Sequence, residues 1–139
     1  MDTPEPVARL LDHPLTLLAA RICVTLPFMV AGLCKLVDWP GGVAEMESVG
    51  LHPPGLFNLA ALATELGGSA LVILDRKTWL GAGALGVFTV LSTFLAHRFW
   101  DAAGPDRVRE FNSFFEHASI AAAFILVAAL SLRSSSERG

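Results

Sequence analysis

The chain has 139 residues, enough for one domain; 53% are hydrophobic and 17% charged, where a soluble domain carries roughly 25% charged residues. Its mean hydropathy is +0.56, and a net charge of -3 speaks against nucleic acid, which calls for a clustered basic face. The absence of a basic tract argues equally against a polybasic lipid-binding tail.

Asp2, Glu5 and Asp12 against a single Arg9 make a poor cationic start for a signal peptide, and no small-residue cleavage site follows. The first apolar run is therefore expected to be a retained span over about residues 15–36. Pro14 occupies the first-turn position a helix tolerates, and Pro27 falls mid-run, where a kink is expected. Cys23 and Cys34 share this run as small packing residues. Eleven positions on a helix separate them by about 16 Å, too far for a disulfide, which needs Cα atoms within about 7 Å. With no C-x-x-C, dithiol chemistry by this chain alone is not expected.

The link Val37–Gly55 holds Gly41-Gly42, then Val43–Val49, then Gly50 and Pro53-Pro54. It reads as a short interfacial helix between breakers. A second span is predicted over 56–74 with one charge, Glu65. Asp75-Arg76-Lys77 forms a tight turn into a third span over 80–99. Asp101–Glu110 links this to a fourth span over 111–132. Runs of this length cross about 30 Å of hydrocarbon, and none has the polar outer face a soluble bundle needs. The fold class is all-α, an integral membrane four-helix bundle forming one domain over 1–139. Trp39, Trp79 and Trp100 stand at span ends, as an aromatic belt requires. The terminal side collects Arg9, Arg76, Lys77, Arg133 and Arg138, the other side Lys35, Arg98, Arg107 and Arg109; five against four is a small excess in favour of cytoplasmic termini.

Charges inside a span cost a few kcal/mol, so they pair or line a polar cavity. Arg21 lies about 9 Å into the first span and Glu65 about 13 Å into the second from the same side, so an Arg21–Glu65 pair is expected. Such a pair either holds two helices in register or serves a ligand. At the opposite face Lys35, His97, Arg98, Asn112, Glu116 and His117 are expected to form a polar vestibule in which a histidine exchanges protons near neutral pH, or else ordinary headgroup-level polarity. His97, Glu116 and His117 are the residue types that ligate zinc or iron. Neighbouring helical residues point about 100° apart, however, and no metal site is assigned. Gly67, Gly68, Gly81, Gly83 and Gly86 offer close helix contact.

Several motifs occur in the order found in one known family. They are Arg21, then Phe28-Met29-Val30-Ala31-Gly32-Leu33-Cys34-Lys35-Leu36, Val49-Gly50-Leu51-His52-Pro53, Glu65-Leu66-Gly67-Gly68 and His97-Arg98-Phe99-Trp100. On these the chain resembles the DoxX family of small four-span bacterial membrane proteins. The resemblance implies a multi-pass protein of the bacterial cytoplasmic membrane. It also implies a role as subunit of a thiosulfate:quinone oxidoreductase or another membrane-associated redox complex. Arg21, Lys35, Glu65, His97 and Trp100 match the family's recurrent polar and aromatic positions. Glu116-His117 stands where the family often has Lys-Asn, and Ala122-Ala123 where paired glycines are frequent.

The expected function is thus a quinone- or sulfur/thiol-linked redox subunit with redox partner proteins. The competing reading is a non-enzymatic scaffold, or a small-molecule permease acting as a homo-oligomer. A quinone needs an apolar slot with polar groups for its carbonyls, and Lys35, His97 and Glu65 are the candidates. No flavin, haem or iron–sulfur signature is visible, so electrons must come from a partner or from the substrate.

Overall fold

The protein is described here by a computed structural model covering residues 3–136. Among these residues the elements are α1 (Glu5–Leu11), α2 (Pro14–Val37), α3 (Trp39–Ser48), α4 (Pro54–Ile73), α5 (Thr78–Ala96) and α6 (Gly104–Ser136). Four of them, α2, α4, α5 and α6, are long and apolar enough to cross a membrane. The all-α membrane bundle expected from hydropathy is therefore present.

Local chemistry explains the boundaries. Pro14 opens α2 behind His13, whose ring nitrogen accepts from the Leu15 amide, and the helix continues through Pro27. The first-turn prolines Pro40 and Pro54 begin α3 and α4, where a missing N–H costs no helical bond. Between α4 and α5 the turn is as tight as expected. Asp75 and Lys77 take positive φ of 52° and 50°, and the Thr78 hydroxyl donates to the Asp75 carboxylate at 2.9 Å.

Three boundaries differ from expectation. The third span stops at Ala96 rather than 99, because His97 leaves the helical region and the chain folds back. Phe99 and Trp100 then pack on Phe111 and Phe114 of α6. The fourth helix starts at Gly104 rather than 111, with Pro105 in its first turn; the polar run to Glu110 is helix and not linker. Gly41 and Gly42 are not breakers. They lie inside α3, and a Cβ on Gly42 would overlap the Asn58 carboxamide of α4, so the glycine is what lets α3 lie down on α4.

The bundle's centre is Phe28 of α2, stacked edge-on against Phe124 at 5.4 Å and Phe88 at 6.4 Å, with Val72, Ala82 and Leu85 fully buried around it. Buried Thr25, Thr89 and Thr93 donate their hydroxyls to carbonyls of Arg21, Leu85 and Thr89 at 2.6–2.7 Å. Hydrocarbon offers these groups no other partner. Of the five glycines expected at helix contacts, two carry a close crossing. A Cβ on Gly81 would lie 2.6 Å from the Gly68 carbonyl, and one on Gly68 would meet Leu85 at 2.8 Å. Gly67 and Gly83 face open space, and Gly86 has ordinary clearance to Phe124.

Candidate functional site

The expected Arg21–Glu65 pair does not form. Arg21 instead contacts Asp75 at 3.0 Å, with side chains about a quarter exposed at the bundle's edge. Glu65 contacts Lys35 at 3.3 Å, and both are almost fully buried. The cause is register. Matching span ends assumed that α2 and α4 are level. A Cβ on Gly32 would meet Leu66 at 2.7 Å and Glu65 at 3.3 Å, so Gly32 and Glu65 stand at one height. Val37 is then opposite residue 60 or so, and α4 projects about 9 Å past the end of α2. Asn58 sits in that projecting part, under Gly42. The footprint of α3 on α4 thus slides one span against the other. Lys35, one turn beyond Gly32, reaches Glu65, and Arg21 meets the turn.

Exchanging Arg21 and Asp75 (R21D/D75R) is therefore expected to restore part of the thermal stability in detergent that D75R alone loses, the remainder being the Thr78 hydroxyl's bond to Asp75, which arginine cannot accept. R21D, which keeps that bond, should lower stability by no more than about 1 kcal/mol, as loss of a partly exposed pair does. R21D combined with E65R should give no such recovery.

Lys35 also contacts Glu45 of α3 at 3.2 Å. One ammonium thus joins α2, α3 and α4. The Glu45 carboxylate is half exposed, whereas the Glu65 side chain is 3% exposed. Glu65 Oε1 takes the lysine, but Oε2 is buried with no partner among the described residues, and both polar atoms of the Asn58 carboxamide share that condition. Asn58 is fully buried and lies on the same face of α4 as Ala61 and Glu65. Buried polar atoms are nearly always bonded, so Asn58, Glu65 and Ser69, whose hydroxyl is likewise buried without a partner among the described residues, mark a strip of α4 built to be polar.

Beside this strip lies an apolar cleft of about 430 Å³ between α3, α4 and α5. Met46 and Val49 wall it on α3, Phe57 and Ala61 on α4, Phe88 and Leu95 on α5. Glu45 stands on its rim, which connects the cleft to Lys35 and so to Glu65. At the far end Ala96 precedes His97.

The other expected residues form a separate group rather than one vestibule with Lys35. His97 Nδ1 lies 2.9 Å from Glu110 Oε2, and its ring is 4.6 Å from that of His117. The His117 Nδ1–H donates to the Ser113 carbonyl at 2.7 Å. Glu116 is exposed on another face of α6, following the 100° step between helical neighbours. Trp100 is about half exposed and joins a ring cluster with Phe94, Phe99 and Phe114. Cys23 and Cys34 are free and exposed. Among the described residues no group of three metal-ligating side chains converges. Three partners were missed from sequence, the first being Asp75, read only as part of a turn. Glu45 looked like solvated charge on a surface helix, and Glu110 lay in a stretch read as linker. The signal for Glu45 was its place one turn after Gly41-Gly42, of which Gly42 faces Asn58 of α4.

Four apolar spans carrying buried ion pairs and almost no extramembrane mass define a multi-pass membrane protein. The chain belongs to the DoxX family, whose profile matches residues 16–98. That stretch includes Arg21, Lys35, Glu65 and His97 and ends before Glu110 and His117. A relative, the Inner membrane protein YphA of Escherichia coli, is 32% identical over 116 residues, covering 84% of this chain and 83% of that protein. Together with the four spans it assigns this chain to the bacterial inner membrane. No solved structure matches the chain.

Proposed function

We propose that this protein is a subunit of a membrane-associated redox complex, and that the cleft between α3, α4 and α5 holds a lipophilic quinone. The observation that carries the reading is the cleft itself, which has apolar walls and, at one rim, Glu45 tied to the buried Lys35–Glu65 pair. Small-molecule sites combine these two features, apolar walls and a few placed polar groups. The residues fit such a ligand: Phe57, Phe88 and Leu95 suit its ring and tail, and Glu45, Thr64 and Ser92, the polar members of the lining, suit its oxygens. When bound, the quinone supplies electron-accepting chemistry that no residue of this chain has. The chain's own part is to exclude water and orient the head. Electrons enter from a partner protein or from a sulfur or thiol substrate. Arg76 and Lys77, at the turn on the side of both termini, support a cytoplasmic placement of that face.

A scaffold reading is favoured by a different observation: the pairs Lys35–Glu65 and Arg21–Asp75 tie α2 to the middle of α4 and to the turn that follows it. The two readings separate under photolabelling. In lipid nanodiscs an azido-ubiquinone analogue is expected to label peptides of α3 and the second half of α5, with labelling suppressed by unlabelled ubiquinone. Diffuse labelling of outward faces, unaffected by competitor, would refute quinone binding and leave the scaffold.

A further inference from the structure

We infer that Glu45 is the residue through which protons reach a quinone held in the cleft, and that it takes them from a polar groove between α2 and α3. This rests on the reading of the cleft as a quinone site and deepens it by assigning the proton route and the membrane face from which the protons come.

Glu45 belongs to two cavities at once. It lines the apolar cleft beside Met46 and Val49. It also lines a groove of about 430 Å³ between α2 and α3, together with Lys35, Asp38 and the Gly41-Gly42 backbone. That groove lies at the C-terminal end of α2, on the face opposite both chain termini, and its three charged residues make it the wet side. The cleft itself offers a proton no other entry. Apart from Glu45, its polar lining is Thr64 and Ser92. Their hydroxyls can orient an oxygen, but an alcohol is too weak an acid to give up its proton. Glu45 is the lining residue with a carboxyl group, which does so readily. A quinone oxygen accepts hydrogen bonds and gives none, and a carboxyl group donates one only while it carries its proton.

The charges around Glu45 suit a group that takes up a proton and passes it on. Lys35 contacts Glu45 at 3.2 Å and Glu65 at 3.3 Å, so one ammonium faces two carboxylates and the cluster carries one negative charge in excess. A proton on one carboxylate makes it neutral, and uncompensated charge beside hydrocarbon is costly. Release of that proton leaves Lys35 paired with Glu65 as before. Glu45, half exposed, is the carboxylate that both water and the cleft reach. Asp38 is the other acidic group of the groove and accepts from the Gly41 amide. The α4 and α5 residues that line the cleft bring no charge to Glu45. Reduction of a quinone consumes two electrons and two protons. The electrons come from the partner protein or from the sulfur or thiol substrate. Glu45 gives the protons one at a time: its carboxyl O–H bond breaks, the hydrogen passes to a ring oxygen, and water in the groove returns a proton to the carboxylate.

Two measurements on the protein in nanodiscs test the route. Dicyclohexylcarbodiimide, which is lipophilic and adds to protonated carboxyl groups, is expected to modify Glu45, as read by mass spectrometry. At about ten times its Kd, decyl-ubiquinone fills about nine sites in ten. Modification of Glu45 should then fall about tenfold, while that of Glu116, exposed on another face of α6, stays constant. Electrochemical reduction of the bound decyl-ubiquinone should give an infrared difference band from a carboxyl C=O, shifted in D2O. Glu45→Gln keeps a donor for the quinone oxygen but has no proton to give. It should still let decyl-ubiquinone displace the azido-ubiquinone label, and it should lack the band. Modification of Glu45 that decyl-ubiquinone leaves unchanged, or no modification of Glu45 at all, overturns the inference; displacement of the azido label in the same sample leaves the quinone site standing. A band that persists in Glu45→Gln, or that is missing from the wild-type protein, overturns it too. Failure of decyl-ubiquinone to displace the label from the wild-type protein overturns the quinone reading as well.

Discussion

Replacing Lys35 with methionine is expected to be the most damaging single change in the transmembrane region. The side chain is unbranched and of similar length, so the space is kept and only the charge is lost. Glu65 is then left 3% exposed without a counter-ion. Breaking a buried pair from one side costs about 3–5 kcal/mol, most of it the penalty of the orphaned charge. Hydrocarbon outside the bundle gives that carboxylate no alternative partner. K35M should therefore unfold at a clearly lower fraction of sodium dodecyl sulfate in mixed micelles. K35M/E65Q, which removes both charges, should recover most of the loss. K35M unfolding at the wild-type midpoint would mean that the pair contributes nothing. By contrast E45Q, which alters the half-exposed arm of the same lysine, should shift the midpoint little.

The second large effect is expected at a position with no side chain. In Gly81→Ala the new methyl would press on the Gly68 carbonyl from 2.6 Å, and Leu71 and Val72 stand close on the same side. A side chain can swing away from such an overlap, but a backbone carbonyl inside a helix cannot. The α4–α5 crossing must open, and Leu85, fully buried against Gly68, loses contact with it. Overpacking of this kind costs typically about 1–3 kcal/mol. Small-residue contacts also supply much of what holds membrane helices together, since lipid is as apolar as the helices. Gly83→Ala is the control. It lies two residues away on the same helix, faces open space, and should be neutral or slightly stabilising because alanine forms helix more readily. Equal effects from the two substitutions would show that helix propensity decides and the crossing does not.

The sequence made the spans legible because hydropathy depends only on the solvent around a helix, which is uniform along a lipid-facing run. The short helix before α4 and the Asp75–Lys77 turn were legible for similarly local reasons. Pair identity was not. Arg21, Lys35 and Glu65 were each recognisable as charges that need a partner, yet the choice between Arg21 and Lys35 for Glu65 turns on a shift of a few residues between α2 and α4. That shift comes from α3 resting on Asn58 through Gly42, a tertiary contact with no signature in periodicity. Glycines misled in the same way. A Gly-Gly pair marks a break in isolation, but inside α3 it marks a surface cut low enough for another helix to lie on. His97 was legible as a polar group at a span end. Its partner was not, because Asp106–Glu110 has the composition of a linker and becomes helix only as the first turns of α6.

The length of α6 has a consequence for depth. Thirty-three residues rise about 50 Å, and fitting that wholly within about 30 Å of hydrocarbon would demand a tilt near 50°, steeper than transmembrane helices adopt. The helix must therefore overshoot, and its first turns, carrying Asp106, Arg107, Arg109 and Glu110, tolerate water, as does the far end from Arg133 onward. Because His97 is bonded to Glu110, the overshoot sets the imidazole's height at the boundary between headgroups and lipid tails. A thicker bilayer would draw that boundary outward past the histidines. Membrane thickness thereby acts on this end of the bundle as a mechanical variable, without any ligand being involved.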